Sequence, residues 1–257
     1  MKKRSAYILI LIVLLIIPLF SYHVRVRLVR EVKHLEFNIS YIQNSSFAAV
    51  YSKWNANTLS FALPVKEYYQ KYSLSCEIAS LKLALDYKGI NVSEDTLISN
   101  LPFATKEPAK IDPLTGQTIW GDPNKGFVGN INGKMPTTGY GVYEKPILNV
   151  ALNYRINSGL LATSSIFYLL QEVKNGNPVV VWGSVTSGVD ISWHDQFGNL
   201  IKAVGGEHAR VVVGFNGPID APTAILIIDP VYGKIQMPIS DFIRDWALLG
   251  NKAVVVR

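Results

Sequence analysis

Cysteine is almost absent from this sequence: Cys76 is the single one in 257 residues. One cysteine excludes an internal disulfide and the paired cysteines of structural zinc sites. The four histidines (His23, His34, His194 and His208) show no HxxxH spacing, so neither a metal nor a cofactor is predicted. The GxSxG, GxGxxG and GxxxxGK motifs are also missing, which argues against a serine hydrolase and against nucleotide binding.

Positive charge is in excess, at +6, but it is concentrated near the N-terminus. Residues 1–34 hold seven of the 25 Lys and Arg and one of the 19 Asp and Glu. Residues 35–257 therefore carry 18 charges of each sign and are neutral overall. Because a balanced body offers no basic face for phosphate groups, no nucleic-acid partner is predicted.

The N-terminus has the pattern of an export signal. Lys2–Arg4 precede an apolar run from Tyr7 to Phe20, which is shorter than the ~20 residues of a spanning helix and typical of a signal sequence. No small-residue cleavage site follows, so residues 1–24 are predicted to be a signal anchor in the membrane, with a cleaved signal peptide as the alternative. We therefore expect the rest of the chain on the extracellular side of the cell membrane, or secreted if the segment is cleaved.

The remaining chain is predicted to form a polar connector, residues 25–62, and one domain, residues 63–257. Apolar spacing predicts helices from Cys76 to about Lys88 and at 92–98 and 164–174, while residues 102–146 are predicted to form a long loop. Strands are predicted at 179–182, 209–215, 224–229, 234–237 and 252–256, with a short helix at 241–248. Helices in the first half and an antiparallel sheet in the second define an α+β fold.

Cys76 is predicted to lie in the first turn of its helix, because Ser75 before it is a residue type that favours the N-cap. A helix N-terminus stabilises a thiolate, so we expect Cys76 to be alkylated well below the free-thiol pKa of about 8.5. Gln70, six residues earlier, could donate its amide to an oxyanion formed at the same place. The alternative for Cys76 is a small buried hydrophobic residue without a catalytic role.

A histidine and a carboxylate are predicted to meet at one edge of the sheet. His208 begins an apolar strand, and Asp229 ends the next one. If these strands pair antiparallel, the carboxylate could fix the tautomer of the imidazole and stabilise its charged form.

The order of the candidate site residues along the chain resembles that of the papain-like superfamily: Gln70, Cys76, His208 and Asp229. The chain is most similar to the family typified by the bacteriocin leader-processing cysteine peptidases, in its stand-alone, secreted bacterial branch. The motifs that carry the resemblance are the helix start at 75–81, residues 120–129, residues 139–143, residues 206–209 and Asp229-Pro230 followed by Gly233. The resemblance implies a papain-like fold, a peptide or protein substrate, Cys76 as nucleophile, His208 as base, Asp229 as its orienting group and Gln70 at the oxyanion.

One residue departs from that pattern: Glu77 follows the nucleophile, where the family usually has glycine. A carboxylate beside a thiol opposes its ionisation, so we expect Glu77 to point away from the sulfur, into solvent or toward a basic partner. The sequence thus predicts an exported cysteine peptidase. Its alternatives are a catalytically silent peptide-binding domain of the same fold, and an amidase or transpeptidase acting on cell-wall peptide.

Overall fold

The computed structural model describes residues 52–54, 60–161, 165–186 and 188–257. The helices, in chain order, are α1 (Cys76–Tyr87), α2 (Glu94–Ser99), α3 (Glu144–Leu152), α4 (Ile166–Lys174) and α5 (Ile239–Leu248). The strands are β1 (Ser52–Lys53), β2 (Phe61–Ala62), β3 (Phe103–Thr105), β4 (Lys110–Ile111), β5 (Thr118–Ile119), β6 (Phe127–Gly129), β7 (Gly139–Gly141), β8 (Gly159–Leu160), β9 (Val179–Ser184), β10 (Asp190–His194), β11 (Leu200–Val204), β12 (Glu207–Asn216), β13 (Ala224–Asp229), β14 (Gly233–Pro238) and β15 (Ala253–Val255).

One large antiparallel sheet organises the fold, in the order β1-β14-β13-β12-β9-β15-β8, with β2 also pairing with β12. All ten residues of β12 are buried, and α1, α4 and α5 pack against the central strands of the sheet. The predicted α+β class is confirmed, and the predicted strands and helices of this region end within two residues of the observed ones. Continuous apolar runs such as Val179–Trp182 form strands here because helices cover the sheet.

Helix α1 lies at the centre of the core, since every residue from Cys76 to Leu85 is buried. Ser75 is its N-cap by position, and the Ser75 carbonyl accepts the first helical hydrogen bond, from the Ala79 N–H at 2.8 Å. The Ser75 hydroxyl instead bonds the N–H and carbonyl of Tyr72 at 3.2 and 3.1 Å. It therefore fixes the loop that leads into the helix, and the predicted helix start at Cys76 is confirmed.

The long loop predicted at 102–146 is wrong in one respect, because it contains the five short strands β3 to β7. Three of them form the sheet β3-β6-β7, and two others join the hairpin β10–β11 in the sheet β11-β10-β5-β4. Trp193 of the hairpin packs edge-on against Trp120 and Tyr140, at centroid distances of 5.3 and 5.1 Å. Strands of two or three residues carry too little periodicity to be recognised from sequence.

Two strands precede the predicted start of the domain at residue 63. Strand β1 pairs with β14, and β2 pairs with β12 at Gly214. A side chain at Gly214 would bring a Cβ to 2.2 Å from the Phe61 carbonyl, so the approach of β2 requires glycine there. The predicted signal segment, residues 1–24, lies outside the described residues. Among those described, none of the helices has both the length and the apolar character needed to cross a bilayer.

Candidate active site

A cleft of about 200 Å³ brings together three of the four predicted site residues. Gln70 comes from the loop before α1, Cys76 is the first residue of that helix, and His208 is the second residue of β12. Glu207 and Tyr232 also line this cleft. The fourth predicted residue, Asp229, ends β13 and contacts His208 from behind.

His208 and Asp229 form a buried pair. The antiparallel register of β12 and β13 matches Val211 with Ile228, which brings the start of one strand beside the end of the other. The His208 Nε2 atom lies 2.8 Å from Asp229 Oδ2, with both side chains buried. The sequence anticipated this pairing because a short turn between two consecutive strands favours an antiparallel hairpin.

The Asp229 carboxylate is held by backbone donors. Its Oδ1 accepts the N–H groups of Val231 and Tyr232 at 2.7 and 3.0 Å, which leaves Oδ2 for the ring of His208. Burial by itself would raise the pKa of Asp229, but the charge of His208 and these hydrogen bonds outweigh it, and the pKa lies below its ordinary value. The charged form of Asp229 is therefore favoured where it contacts His208.

The Cys76 sulfur makes two polar contacts within the described part of the chain. It lies 3.4 Å from Glu77 Oε2, to which the thiol donates, and 3.5 Å from the Ala209 N–H. The second contact ties the start of α1 to β12, one residue beyond His208. The resting thiol is therefore directed at a carboxylate.

The expectation that Glu77 turns away from the sulfur is wrong. Glu77 is fully buried, and its Oε1 accepts the Val142 N–H at 2.7 Å. Burial raises the pKa of Glu77 to about 7, against three hydrogen bonds that favour its charged form, from its own backbone N–H, the Val142 N–H and the Cys76 thiol. The backbone of residues 139–143, part of the resemblance noted above, thus receives this side chain inside the protein.

A second buried carboxyl group, Glu207, completes the surroundings of the thiol. Burial raises the pKa of Glu207 well above its usual range, and the nearby charge of Glu77 raises it further, while Arg210 opposes both effects. From sequence, Glu207 is identified only as part of the motif at residues 206–209. The available signal was an acidic residue at the start of a largely apolar strand.

Burial, together with these two carboxyl groups, contradicts the expected acidity of Cys76. Burial raises the pKa of the thiol well above its usual range, and the charges of Glu77 and Glu207 raise it further. The Ala209 N–H opposes this shift but does not outweigh it. The favourable field at the helix N-terminus is thus overcome by burial and by two carboxyl groups.

Gln70 lies in the cleft, but its amide is engaged. The Gln70 backbone N–H donates to the Pro230 carbonyl at 2.9 Å, which attaches its loop to the residue after Asp229. Its Nε2 donates to the carbonyls of Tyr72 and Ser73 at 2.8 and 3.0 Å. Both N–H bonds of this amide are therefore directed at the loop, so an oxyanion would have to replace one of these carbonyls.

A second cleft, of about 240 Å³, is built from residues of the two smaller sheets. Asp195 in its wall is paired with Lys125 at 3.3 Å, and Trp120 from the 120–129 motif also lines it. Among the described residues that line it, none is a cysteine or a histidine. The candidate nucleophile Cys76 and the candidate base His208 both line the first cleft instead.

An α+β fold with a cysteine at the start of a buried helix and a His–Asp pair on the facing sheet is the architecture of the papain-like peptidases. The model of the Peptidase_C39 like family matches residues 62–254. The chain belongs to this family. The predicted relationship to the papain-like, bacteriocin-processing peptidases is confirmed at this level.

Individual relatives agree with this assignment. The chain is 31% identical over 189 residues to the uncharacterized protein YvpB of Bacillus subtilis (strain 168), covering 71% of this chain and 68% of the relative. A crystal structure from Bacillus anthracis, assigned as a C39-like peptidase, matches with a TM-score of 0.64 and 27% identity, over 77% of this chain and 96% of the other. A double glycine motif protease from an AMS/PCAT transporter, solved in complex with the leader peptide, matches with a TM-score of 0.41 and 14% identity, over 77% of this chain and 93% of the other. That last likeness is too low to bear on function.

Proposed function

We propose that this chain is a cysteine peptidase that hydrolyses peptide bonds by acyl transfer through Cys76, His208 and Asp229. The observation that carries the proposal is the buried 2.8 Å contact between His208 and Asp229 beside a cleft that Cys76 also lines. A histidine oriented by a carboxylate next to a nucleophile is the arrangement that general-base catalysis requires. Family membership supports the same reaction class.

His208 has one ring nitrogen left for the proton transfer. Because Nε2 faces Asp229, Nδ1 is the atom that accepts the thiol proton as Cys76 attacks the substrate carbonyl. The protonated His208 then gives this proton to the leaving amine, and a water hydrolyses the thioester with His208 again acting as base. Asp229 stabilises the imidazolium between these steps.

The oxyanion has one donor in the backbone and one candidate in a side chain. The first N–H groups of a helix have no partner within the helix, so the Cys76 N–H can point at an oxyanion formed on the attacked carbonyl. Gln70 is the second donor, provided that substrate binding frees one of its two N–H bonds from the loop carbonyls. Such a donor is typically worth about 10²–10³ in turnover.

Glu77 supports a second candidate, a peptide-binding domain that keeps the fold without turnover. Its carboxyl group lies 3.4 Å from the sulfur and opposes formation of the thiolate. If the chain is a peptidase, His208 must deprotonate a thiol that is hydrogen-bonded to Glu77. In the binding domain this transfer does not occur.

The proposal extends to location on the basis of sequence alone. The positive residues Lys2–Arg4 and the apolar run that follows them support export, with residues 1–24 as a membrane anchor. We expect the full chain to fractionate with membranes. We also expect residues 63–257 to be accessible to protease added from outside. A secreted chain that begins beyond Phe20 would replace the anchor by a cleaved signal.

The deciding experiment for the reaction is exposure of the purified chain to a diverse peptide library, followed by mass spectrometry. New peptide termini, and a thioester of a substrate fragment on Cys76, are expected with the wild type and not with Cys76→Ala. Products joined to an added amine instead of water would indicate a transpeptidase. Peptides retained uncut by both proteins would establish the binding domain and refute the peptidase.

A further inference from the structure

The side chains of Cys76, Glu77 and Glu207 form a buried cluster of three potential metal ligands. We propose that this cluster is a binding site for a divalent cation of the Zn²⁺ type, which holds the sulfur in an inactive form. His208 and Asp229 bond each other and are not part of this donor set. The site therefore differs from a Cys–His pair that captures a metal through the catalytic base.

The spacing of the donors suits one ion. One ligand atom from each of the three residues lies within 4.8 Å of the other two. Around zinc, bond lengths of about 2.0–2.3 Å place neighbouring ligands roughly 3.5 Å apart in a tetrahedron. Shifts of about 1 Å in these side-chain atoms would bring the cluster to that spacing.

Glu207 is the observation that points to a ligand. It is 4% exposed, and neither of its carboxyl oxygens has a hydrogen-bond partner within the described part of the chain. Burying such a group without a partner is costly, and buried charges are usually paired or bound to metals. A cation between Glu207 and Glu77 would supply the partner that Glu207 lacks.

Gly141 leaves the room in which the two carboxyl groups converge. A Cβ built at Gly141 would lie 2.5 Å from Glu77 Oε1 and 2.6 Å from Glu207 Oε2. Any other residue at this position would therefore push the carboxyl groups apart, and its φ of +145° also favours glycine. The two acidic side chains are held against one point of the backbone.

The donor set selects the kind of cation. Magnesium and calcium prefer oxygen ligands alone, whereas zinc binds thiolate and carboxylate together. Cys76 and Glu207 line the cleft, so an ion can reach them from solvent, and a water in the cleft can complete four-coordination. Binding replaces the thiol proton by a sulfur–zinc bond and releases the proton to solvent.

Bound zinc would make the sulfur unavailable as a nucleophile. Inhibition of turnover rests on the proposed peptidase function, but the binding itself does not. The two can therefore fail separately, because occupancy of the cluster is measurable through the thiol in the absence of any substrate.

The test uses the full chain and two readouts: protection of Cys76 from iodoacetamide by Zn²⁺, and the thiolate-to-metal absorption band of added Co²⁺. We expect saturable protection at one ion per chain and a Co²⁺ band that disappears in Cys76→Ser. Glu207→Gln removes a direct ligand while keeping the shape of the side chain. It should weaken protection by about 10-fold or more, since even outer residues of metal sites are worth about 10–100-fold.

Glu107→Gln is the matched control, because Glu107 is an exposed glutamate outside the cluster. It should bind zinc like the wild type. The proposal is overturned if zinc gives the wild type no protection, or if Glu207→Gln, folded by circular dichroism, is protected as well as Glu107→Gln. Protection without inhibition of peptide cleavage would keep the site and refute its regulatory role, whereas protection in a chain without turnover would leave the site in place and refute the peptidase.

Discussion

Replacing Asp229 by asparagine tests how the His–Asp pair works. Asp229 Oδ1 is fixed by two backbone N–H donors, from Val231 and Tyr232. An asparagine keeps these bonds only with its oxygen in that position, so its NH₂ group must face His208. The asparagine amide then donates a hydrogen bond to Nε2 of His208, whereas the Asp229 carboxylate accepts one from the same atom.

The consequence for catalysis follows from the tautomer. A His208 ring that accepts at Nε2 carries its proton on Nδ1, the nitrogen proposed to accept the thiol proton, and so cannot act as the base. In a serine-protease triad the corresponding change lowers turnover by about 10⁴-fold, which is about 5 kcal/mol of activation free energy. We expect a loss of this order in Asp229→Asn, with the fold retained because the backbone bonds survive.

The assay is cleavage of a peptide identified in the library experiment, combined with ¹⁵N NMR of the His208 ring to report the tautomer. Asp195→Asn is the matched control, since Asp195 Oδ1 also accepts two backbone N–H groups, from Phe197 and Asn199, at 2.9 Å each. It should keep wild-type turnover. Asp229→Asn that cleaves within about tenfold of the wild type, a difference of about 1.4 kcal/mol, would refute the reasoning.

Three further predictions follow from the same contacts. Glu77→Gln removes the carboxylate that lies 3.4 Å from the sulfur. At about pH 8, Cys76 should then be alkylated roughly tenfold faster or more, and each tenfold corresponds to about 1.4 kcal/mol. Equal alkylation rates would contradict the proposal that Glu77 opposes ionisation of the thiol. Because the folded-state pKa of Asp229 is depressed, its carboxylate contributes stability above its unfolded value of about 3.9, which is lost as the pH falls through the folded value. Lowering the pH from about 6 to about 3 should therefore reduce the free energy of unfolding, measured with urea, more for the wild type than for Asp229→Asn. Gly214→Ala brings a Cβ to 2.2 Å from the Phe61 carbonyl. It should lower the free energy of unfolding by about 1–3 kcal/mol in the same urea assay and speed up amide hydrogen exchange in β2. Unchanged exchange would mean that β2 does not depend on this glycine.

Periodicity and local signals determined much of the fold. Apolar runs such as Ala224–Asp229 are strands from sequence alone, because a buried sheet needs such runs whatever lies beside it. The start of α1 at Cys76 and the antiparallel neighbourhood of His208 and Asp229 were also predictable, since both depend on short-range chain geometry. The residues 102–146 were not, because their two- and three-residue strands are held by partners far along the chain.

The electrostatics of the site were decided by the tertiary structure. The sequence alone does not determine whether the Glu77 side chain points into solvent or into the interior. Glu207 lies 131 positions from Cys76 along the chain, so its proximity to the thiol is not visible from sequence. Packing of α1 against β12, with Gly141 leaving room between, buries both carboxyl groups beside the sulfur. Local rules assign charge effects along one helix or strand, but a pKa depends on burial and on every charge nearby, whichever element supplies it. The sequence by itself therefore determined which residues could do the chemistry, and the tertiary structure decided that the Cys76 thiol is buried beside two carboxyl groups, so that its pKa is raised.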